Sequence, residues 1–488
     1  MSEVAQKTQV LIVGTGAGGA VTAIELASRG VDVLLVEEGK RHTVDDYGDS
    51  ATAAMARLYR GRGMTPIMGS VPIGYVEGRC LGGSTEINSG FWHRTPPEIL
   101  LRWKAQYGLA DSSPEELAPH FEWAEEMTKV SLSEKGWPPS TEVFAKGIDA
   151  MGWSAQEVPR TAHHCEHKNE CAHGCPTGAK QGMSRSLIPL AEEAGAKVLT
   201  RCRVKLLLKR RGRIAGVLAA RVRDGGTQEL IRIYAEHVFL CAGPTETPAL
   251  LRRSGMKFHV GDSLRIHPML KIATLFPEEM NSQGSVLPLL QVKEFWPEVS
   301  MGGAFFSAGH LAMGLSENWP DTRNRMADHR RMAIYYTAVR GTGKGSVRPS
   351  MFGDSTHIRY ELSSDDLKHL SQGLGRLSTL LLAAGAEEIY PSVFGVPVIR
   401  REIEAVHWLD EMLPRSGLSL TTVHAFSACP IGERMDRCAA DSFGKLHHFD
   451  NVYVNDASML PDSPGVNPQG SIMALARRNA IRFADGVR

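Results

Sequence analysis

Apolar and polar positions along this 488-residue chain follow two periods, and the changes of period mark its elements. Gln9 to Val13 is a short, β-branched apolar run cut off by glycine, the pattern of a strand buried in a parallel sheet. From Ala20 to Arg29, Val21, Ile24 and Leu26 with Ala23 and Ala27 fall on one helical face, and Val31 to Val36 reads as a second buried strand. Together they predict a βαβ unit. Val198 to Leu208 and Arg213 to Arg223 alternate as paired strands about a Lys209-Arg210-Arg211-Gly212 turn. Val238 to Cys241 is a buried strand stopped by Ala242-Gly243-Pro244, with a helix from Thr247 to Ser254 behind it. An amphipathic helix is expected from Ser364 to Ala384, and the tail returns to strand at Val452 to Val454 and helix at Ser471 to Ala484.

Length gives a prior of two to three domains at about 150 residues each. Lys plus Arg is 55 against 54 Asp plus Glu, a net charge of +1, so nothing attracts a phosphate polymer, and nucleic acid is excluded as a partner. With 42% hydrophobic and 22% charged residues, the chain is neither disordered nor fibrous. The uncharged run Gln9 to Ile24 is interrupted by glycines and falls short of a membrane span, and Met1 to Thr8 carries Glu3 and Lys7 with no signal-peptide core behind it. A cytoplasmic location is expected. Eight cysteines in a chain this long are not a disulfide framework, although Cys165, Cys171 and Cys175 fall within eleven residues.

Gly14-Thr15-Gly16-Ala17-Gly18-Gly19 satisfies GxGxxG between a strand and a helix, the context that gives the pattern meaning. Gly14 permits the turn, Gly16 clears the approach of a pyrophosphate, and Gly19 lets the helix lie close to the strand. Glu37, at the end of the second strand, can accept from ribose hydroxyls, with Glu38 beside it. A second glycine-dense loop runs from Gly78 and Arg79 through Gly82, Gly83, Ser84, Asn88 and Ser89 to Gly90. A nicotinamide has no evident need of it, whereas FAD, with its ring in a protein pocket, does.

These segments together resemble the glucose, methanol, choline (GMC) oxidoreductases, flavoenzymes that oxidise alcohols. The match includes Cys241-Ala242-Gly243 and, most specifically, the tail Asn455-Asp456-Ala457-Ser458-Met459-Leu460-Pro461 followed by Gly465-Val466-Asn467-Pro468. The resemblance implies an α/β fold with a Rossmann-like FAD-binding domain, 1–262 and 430–488, beside a sheet-containing substrate-binding domain, 263–429. It implies that Val204 meets the adenine, that Ala242 and Gly243 bind the cofactor, and that the tail with Asp456, Asn467 and Pro468 closes over the flavin. Ile87 stands where some relatives carry a histidine bonded to FAD, which implies a non-covalent cofactor. The residues over the reactive face are implied to be His424 and Asn467. His424 is followed by Ala425-Phe426-Ser427-Ala428, where the family commonly has a Gly-Thr and an Arg-Met pair.

Alcohol oxidation removes the hydroxyl proton and passes the carbon-bound hydride to flavin N5, so a base that titrates near neutrality is wanted there, and histidine suits. His424 is expected to accept the proton and Asn467 to fix the substrate oxygen. Asn467-Pro468 also reads as an N-cap followed by proline at the first helical position. A flavin desaturase and an electron-transfer flavoprotein module are the competing readings. C-x5-C-x3-C over Cys165, Cys171 and Cys175, followed by Pro176, resembles the cluster segment of FAD-dependent glucose and fructose dehydrogenases, which implies an iron–sulfur relay. Zinc, with His163, His164, His167 or His173 as a further ligand, and free thiols are the alternatives. The substrate is a small alcohol: Phe305, Phe306, Leu311, Met313, Leu315 and Trp319 allow a lipid or sterol pocket, and the sugar-dehydrogenase resemblance points to a sugar or amino sugar. Oxygen or a redox carrier takes the electrons.

Overall fold

A computed structural model describes residues 5–351 and 353–487. The first apolar run becomes strand β1 (Ala5–Val13), followed by helix α1 (Ala17–Ala27) and strand β2 (Val33–Val36). Val10 to Val13 and Val33 to Val36 are buried, as continuous apolar strands of a parallel sheet must be. β1 lies between β2 and Gln228–Leu240, all parallel, and Val452–Val454 joins the far side of Gln228–Leu240. The tail therefore adds a strand to the sheet that the first residues begin.

The 13-residue strand Gln228–Leu240 also pairs antiparallel with Arg213–Val222, which pairs with Cys202–Arg210, making seven strands in all. The expected strand Val198 to Leu208 is two strands. Lys197–Leu199 runs parallel to β2, and the chain then breaks at Arg201, whose φ of 56° no strand accommodates. Backbone N–H groups of Arg201 and Cys202 donate to the carbonyls of Gly39 and Glu37, holding that corner against the end of β2.

A nine-stranded sheet forms the second layer. Its central strands run Leu420–Thr422, Met269–Leu275, Met332–Val339, Val299–Gly303, Leu290–Val292. It also takes Thr65–Ile67, Ile73–Tyr75 and Ala155–Glu157 from within 1–262, so sheet membership and the sequence-based ranges do not coincide there. Helix Ser364–Ala383 covers one face. Ser363 accepts from the Asp366 N–H while Asp366 accepts from the Ser363 N–H, a capping box, and Leu367, Leu370, Leu374, Leu377 and Leu381 pack on Leu270, Ile272 and Tyr335. The alternate residues Met269, Lys271 and Tyr336 face the other way. Of the aromatic and aliphatic group near 305–319, Phe306, Leu311 and Leu315 are core, Phe305 and Met313 line a cavity, and Trp319 is exposed. No helix among the described residues is long and apolar enough to cross a membrane.

Candidate active site

A cavity of about 510 Å³ is lined by both sheets. At one end β1 stops and Gly14 turns the chain with φ +102°, so close to the opposite strand that a Cβ would lie 2.1 Å from the Cys241 carbonyl oxygen. Gly16 faces open space, and the second loop comes up against it: a Cβ on Gly83 would lie 3.1 Å from Gly16 Cα. Thr15 joins the two loops. Its hydroxyl donates to Glu37 Oε2 at 2.7 Å and accepts from the Gly82 N–H at 3.0 Å. Thr15 occupies a free position of the fingerprint, so the motif gives no reason to single it out. Beyond Glu37, burial pushes the Glu38 carboxyl up, but the charges of Arg60, Arg203 and Arg79 outweigh it and hold the group ionised.

The second loop is bolted down by two buried cations. Lys180 Nζ donates to the carbonyls of Glu86, Asn88 and Cys171 at 2.7, 2.9 and 2.6 Å, and Arg160 Nε donates to the Ser89 carbonyl at 3.0 Å. The same Arg160 reaches Cys171 Sγ at 3.0 Å and Cys165 Sγ at 3.6 Å, while the Lys180 N–H reaches Cys175 Sγ at 3.5 Å. The three cysteines thus lie against two basic residues fixed to the loop, and for Cys175 burial is outweighed by hydrogen bonds from Thr177 and the Lys180 N–H, which hold the thiol below its ordinary value. Sequence reasoning missed both cations because nothing in their spacing ties them to the cysteines. Among the described residues the thiols do not gather with each other or a histidine at the spacing of a single-ion site; the group that does is the exposed Glu134, His163 and His164. Zinc, the alternative to an iron–sulfur group here, finds no such ligand set around the cysteines among the described residues, where the Arg160 guanidinium bonds both Cys165 and Cys171.

At the other end, His424 Nδ1 lies 3.0 Å from His267 Nδ1, and His267 Nε2 lies 2.8 Å from Ser463 Oγ. Asn467 Nδ2 is 3.2 Å from His424 Nε2, and Asn467 Oδ1 accepts from Gln291 Nε2 at 3.4 Å. Two facing Nδ1 atoms share one proton. Because Asn467 donates to His424 Nε2, that nitrogen is bare, so His424 carries its proton on Nδ1 and donates it to His267. His267 is then protonated on Nε2 and donates to Ser463. Burial pushes His424 down to about 4 and His267 well below the usual histidine value. The Asn467 side chain does not cap the tail helix, which starts at Gln469 with Pro468 giving the first helical carbonyl; it turns into the cavity instead. His267 and Gln291 were not legible in the sequence, since one comes from the loop leading into strand Met269–Leu275 and the other from strand Leu290–Val292, far from the tail they support.

Of the expected cofactor residues, Gly14, Gly16, Ala17, Gly18, Glu37, Glu38, Gly83, Ser84, Asn88, Ser89, Val204, Ala242, Gly243, Asp456, Asn467 and Pro468 line the cavity, as does Ile87. Gly19, Arg79, Gly82 and Gly90 do not. Gly19 packs α1 on the Gly14 carbonyl, Arg79 is an exposed partner of Glu38 at 3.7 Å, and Gly82 and Gly90 turn the second loop with φ +91° and +73°. Asp456 is engaged by the protein, accepting from the Gly243 N–H, the Thr247 hydroxyl and Ser458.

The family description GMC oxidoreductase matches residues 55–269 and again 343–476, and a Rossmann-like NAD(P)-binding domain matches 12–44. The chain belongs to the GMC oxidoreductase family. It is a flavin-dependent oxidoreductase acting on CH–OH groups, and its cofactor is FAD. The GMC-type oxidoreductase y4nJ of Sinorhizobium fredii is 38% identical over 98% of this chain and 95% of its own length. The long-chain-alcohol oxidase FAO3 of Arabidopsis thaliana is 26% identical over 98% of this chain and 68% of its own. A formate oxidase structure from Aspergillus oryzae superposes with a TM-score of 0.76 at 16% identity, covering 100% of this chain and 99% of that one, a likeness of fold.

Proposed function

We propose that this GMC oxidoreductase oxidises a primary or secondary alcohol to a carbonyl, with His424 Nε2 as the base and Asn467 holding the substrate oxygen. The observation that carries the reading is the hydrogen-bond chain Gln291–Asn467–His424–His267–Ser463, which leaves a bare imidazole nitrogen beside an amide N–H inside the cavity. The hydroxyl of an alcohol inserted between them replaces that contact, donating to His424 Nε2 while its oxygen accepts from Asn467 Nδ2. Bound FAD supplies the acceptor for the hydride that leaves the carbon. The cavity fits that group: glycine backbone and the start of α1 form its phosphate end, Glu37 and Val204 its nucleoside end, and the aliphatic Ile87 offers no atom for a covalent link. We retain 1–262 with 430–488 as the FAD-binding part and 263–429 as the substrate part.

Asn467, oriented by Gln291, is placed to address an oxygen, for which a desaturase has no use, and the lined space beyond His424 has no purpose in a bare electron-transfer module. Phe305, Met313, Met269 and Leu287 line that space and suit a hydrocarbon body, in keeping with relatives named for long-chain alcohols. The test is anaerobic bleaching of the flavin by a panel of alcohols. His424→Ala is expected to slow it by about a hundredfold or more with flavin still bound; bleaching at the wild-type rate refutes the base assignment.

For the cysteine segment, the spacing alone supports an iron–sulfur group, which would require Cys165 and Cys171 to exchange their hydrogen bonds from Arg160 for iron. Iron and acid-labile sulfide in anaerobically purified protein bear it out, and their absence removes it.

A further inference from the structure

Lys271 stands in the middle of strand Met269–Leu275, on the face that lines the cavity. It lies far from the reacting groups. Gln291, which touches Asn467, is in register with Gly302, Gly302 with Tyr336, and Tyr336 with Lys271, a row of three strand spacings or about 14 Å. Within that row Gly302 has no side chain, and Tyr336 reaches over it to meet Gln291 Nε2 at 2.8 Å. Lys271 is therefore left alone on the other side of Tyr336. Among the described residues its ammonium has no hydrogen-bond or ion-pair partner, and burial is the one influence on its charge, pushing it down with no carboxylate near enough to oppose it.

Two histidines complete this end. His310 Nδ1 is taken by Ser307 Oγ at 2.7 Å and His173 Nδ1 by Glu170 Oε2 at 2.8 Å, which leaves both Nε2 atoms to the cavity. Their rings stand edge-on to Phe305 from two sides, at 5.1 and 5.3 Å. His310 is close enough to the other two to respond to them: after burial, the charges of Lys271 and His173 push it down to about 4. Glu170 is the acidic group here, and it is committed to His173. A cavity end lined by an unpartnered ammonium, two imidazoles and a phenyl ring is built to be completed by an anion.

Resting on the alcohol-oxidising reading above, we infer that the substrate carries, at the end away from its hydroxyl, an anionic oxygen group that Lys271 receives with His310 and His173. The substrate class is an alcohol with an apolar middle and a terminal carboxylate or phosphate. Anion binding supplies the missing counter-charge only when substrate is present, so it selects substrate and sets the hydroxyl at His424.

The experiment titrates the flavin-loaded enzyme with compounds that cannot be oxidised: butanoate, hexanoate and octanoate, the matching alkyl phosphates, and the matching neutral amides, read by the flavin absorbance change. At least one anion series is expected to bind roughly tenfold or more tightly than its amides, and the series that wins tells carboxylate from phosphate. Lys271→Gln is expected to abolish the preference and Lys271→Arg to keep much of it. Equal binding of anions and amides by the wild type overturns the inference without any variant, as does a preference that survives Lys271→Gln. Bleaching by alcohols is scored separately. Anion binding with no alcohol bleaching the flavin sinks the activity and spares the anion site; bleaching with no preference for anions does the reverse.

Discussion

Ser463 touches neither substrate nor cofactor in this arrangement, yet it decides which nitrogen of His424 is free. It gives His267 Nε2–H an acceptor, so that His267 Nδ1 stays bare and takes the His424 proton. Without that hydroxyl, His267 can turn its proton toward His424 and leave the base protonated on the wrong nitrogen. Ser463→Ala is expected to lower the rate constant for flavin reduction on the order of tenfold, less than loss of a buried orienting carboxylate, with little change in KM or flavin content; Ser463→Thr should restore it. Burial holds His424 at about 4, so it is neutral and competent at any pH well above that value. The acid limb of alcohol-dependent reduction is therefore expected near pH 4, and a limb near 6.5 argues for a different base. The candidate pair was legible as His424 and Asn467 because both sit in one recognisable tail. Their supporters His267, Gln291 and Ser463 were not, because a hydrogen bond between segments distant in the chain leaves no spacing to read.

At the scale of elements, α1 is held by the tail as well as by its own strand. A Cβ on Gly18 would lie 1.8 Å from the Asn455 carbonyl oxygen, and Asn455 in turn bonds Thr22 of α1 and the tail helix at the Ala476 carbonyl. Gly18→Ala must push α1 off the loop that closes the cavity. The expected result is a loss of about 1 to 3 kcal/mol in stability and weaker flavin retention, measured by urea unfolding and by flavin absorbance after gel filtration. Most elements were visible in the hydrophobic pattern, including the helix from Ser364. The pattern failed at Thr200 and Arg201, where two edges of the sheet are joined by residues as polar as the strand surfaces beside them, and at Asn467, which has the chemistry of a cap but is claimed by the cavity.

Across the whole molecule two buried populations respond to acid in opposite senses. Burial raises Glu37, Glu77, Glu86 and Asp456, so these carboxyls take up protons in the native state first and favour it as pH falls. It lowers His120, His310 and His424 to about 4 and His93 to about 3, so the unfolded chain binds protons that the native one refuses, and their effect is to destabilise the fold as pH falls below about 6.5. His120, held down by burial and then by Arg477 and Arg478, is remote from the cavity and isolates one such term. The stability of His120→Gln relative to wild type is expected to rise between pH 7 and pH 5.5 in urea unfolding, by a few tenths of a kcal/mol once solvent screening at this partly exposed ring is allowed for; a constant difference would mean His120 protonates normally in the fold.

The order of residues alone determined the βαβ unit, the glycine turns and the flavin family, because each depends on near neighbours whose spacing is written in the chain. The tertiary structure alone decided the rest: the proton arrangement at His424, the cations among the cysteines and the unpartnered Lys271. These depend on what lies across a sheet or on the far side of a cavity, and the identity of a side chain does not state which others it will face.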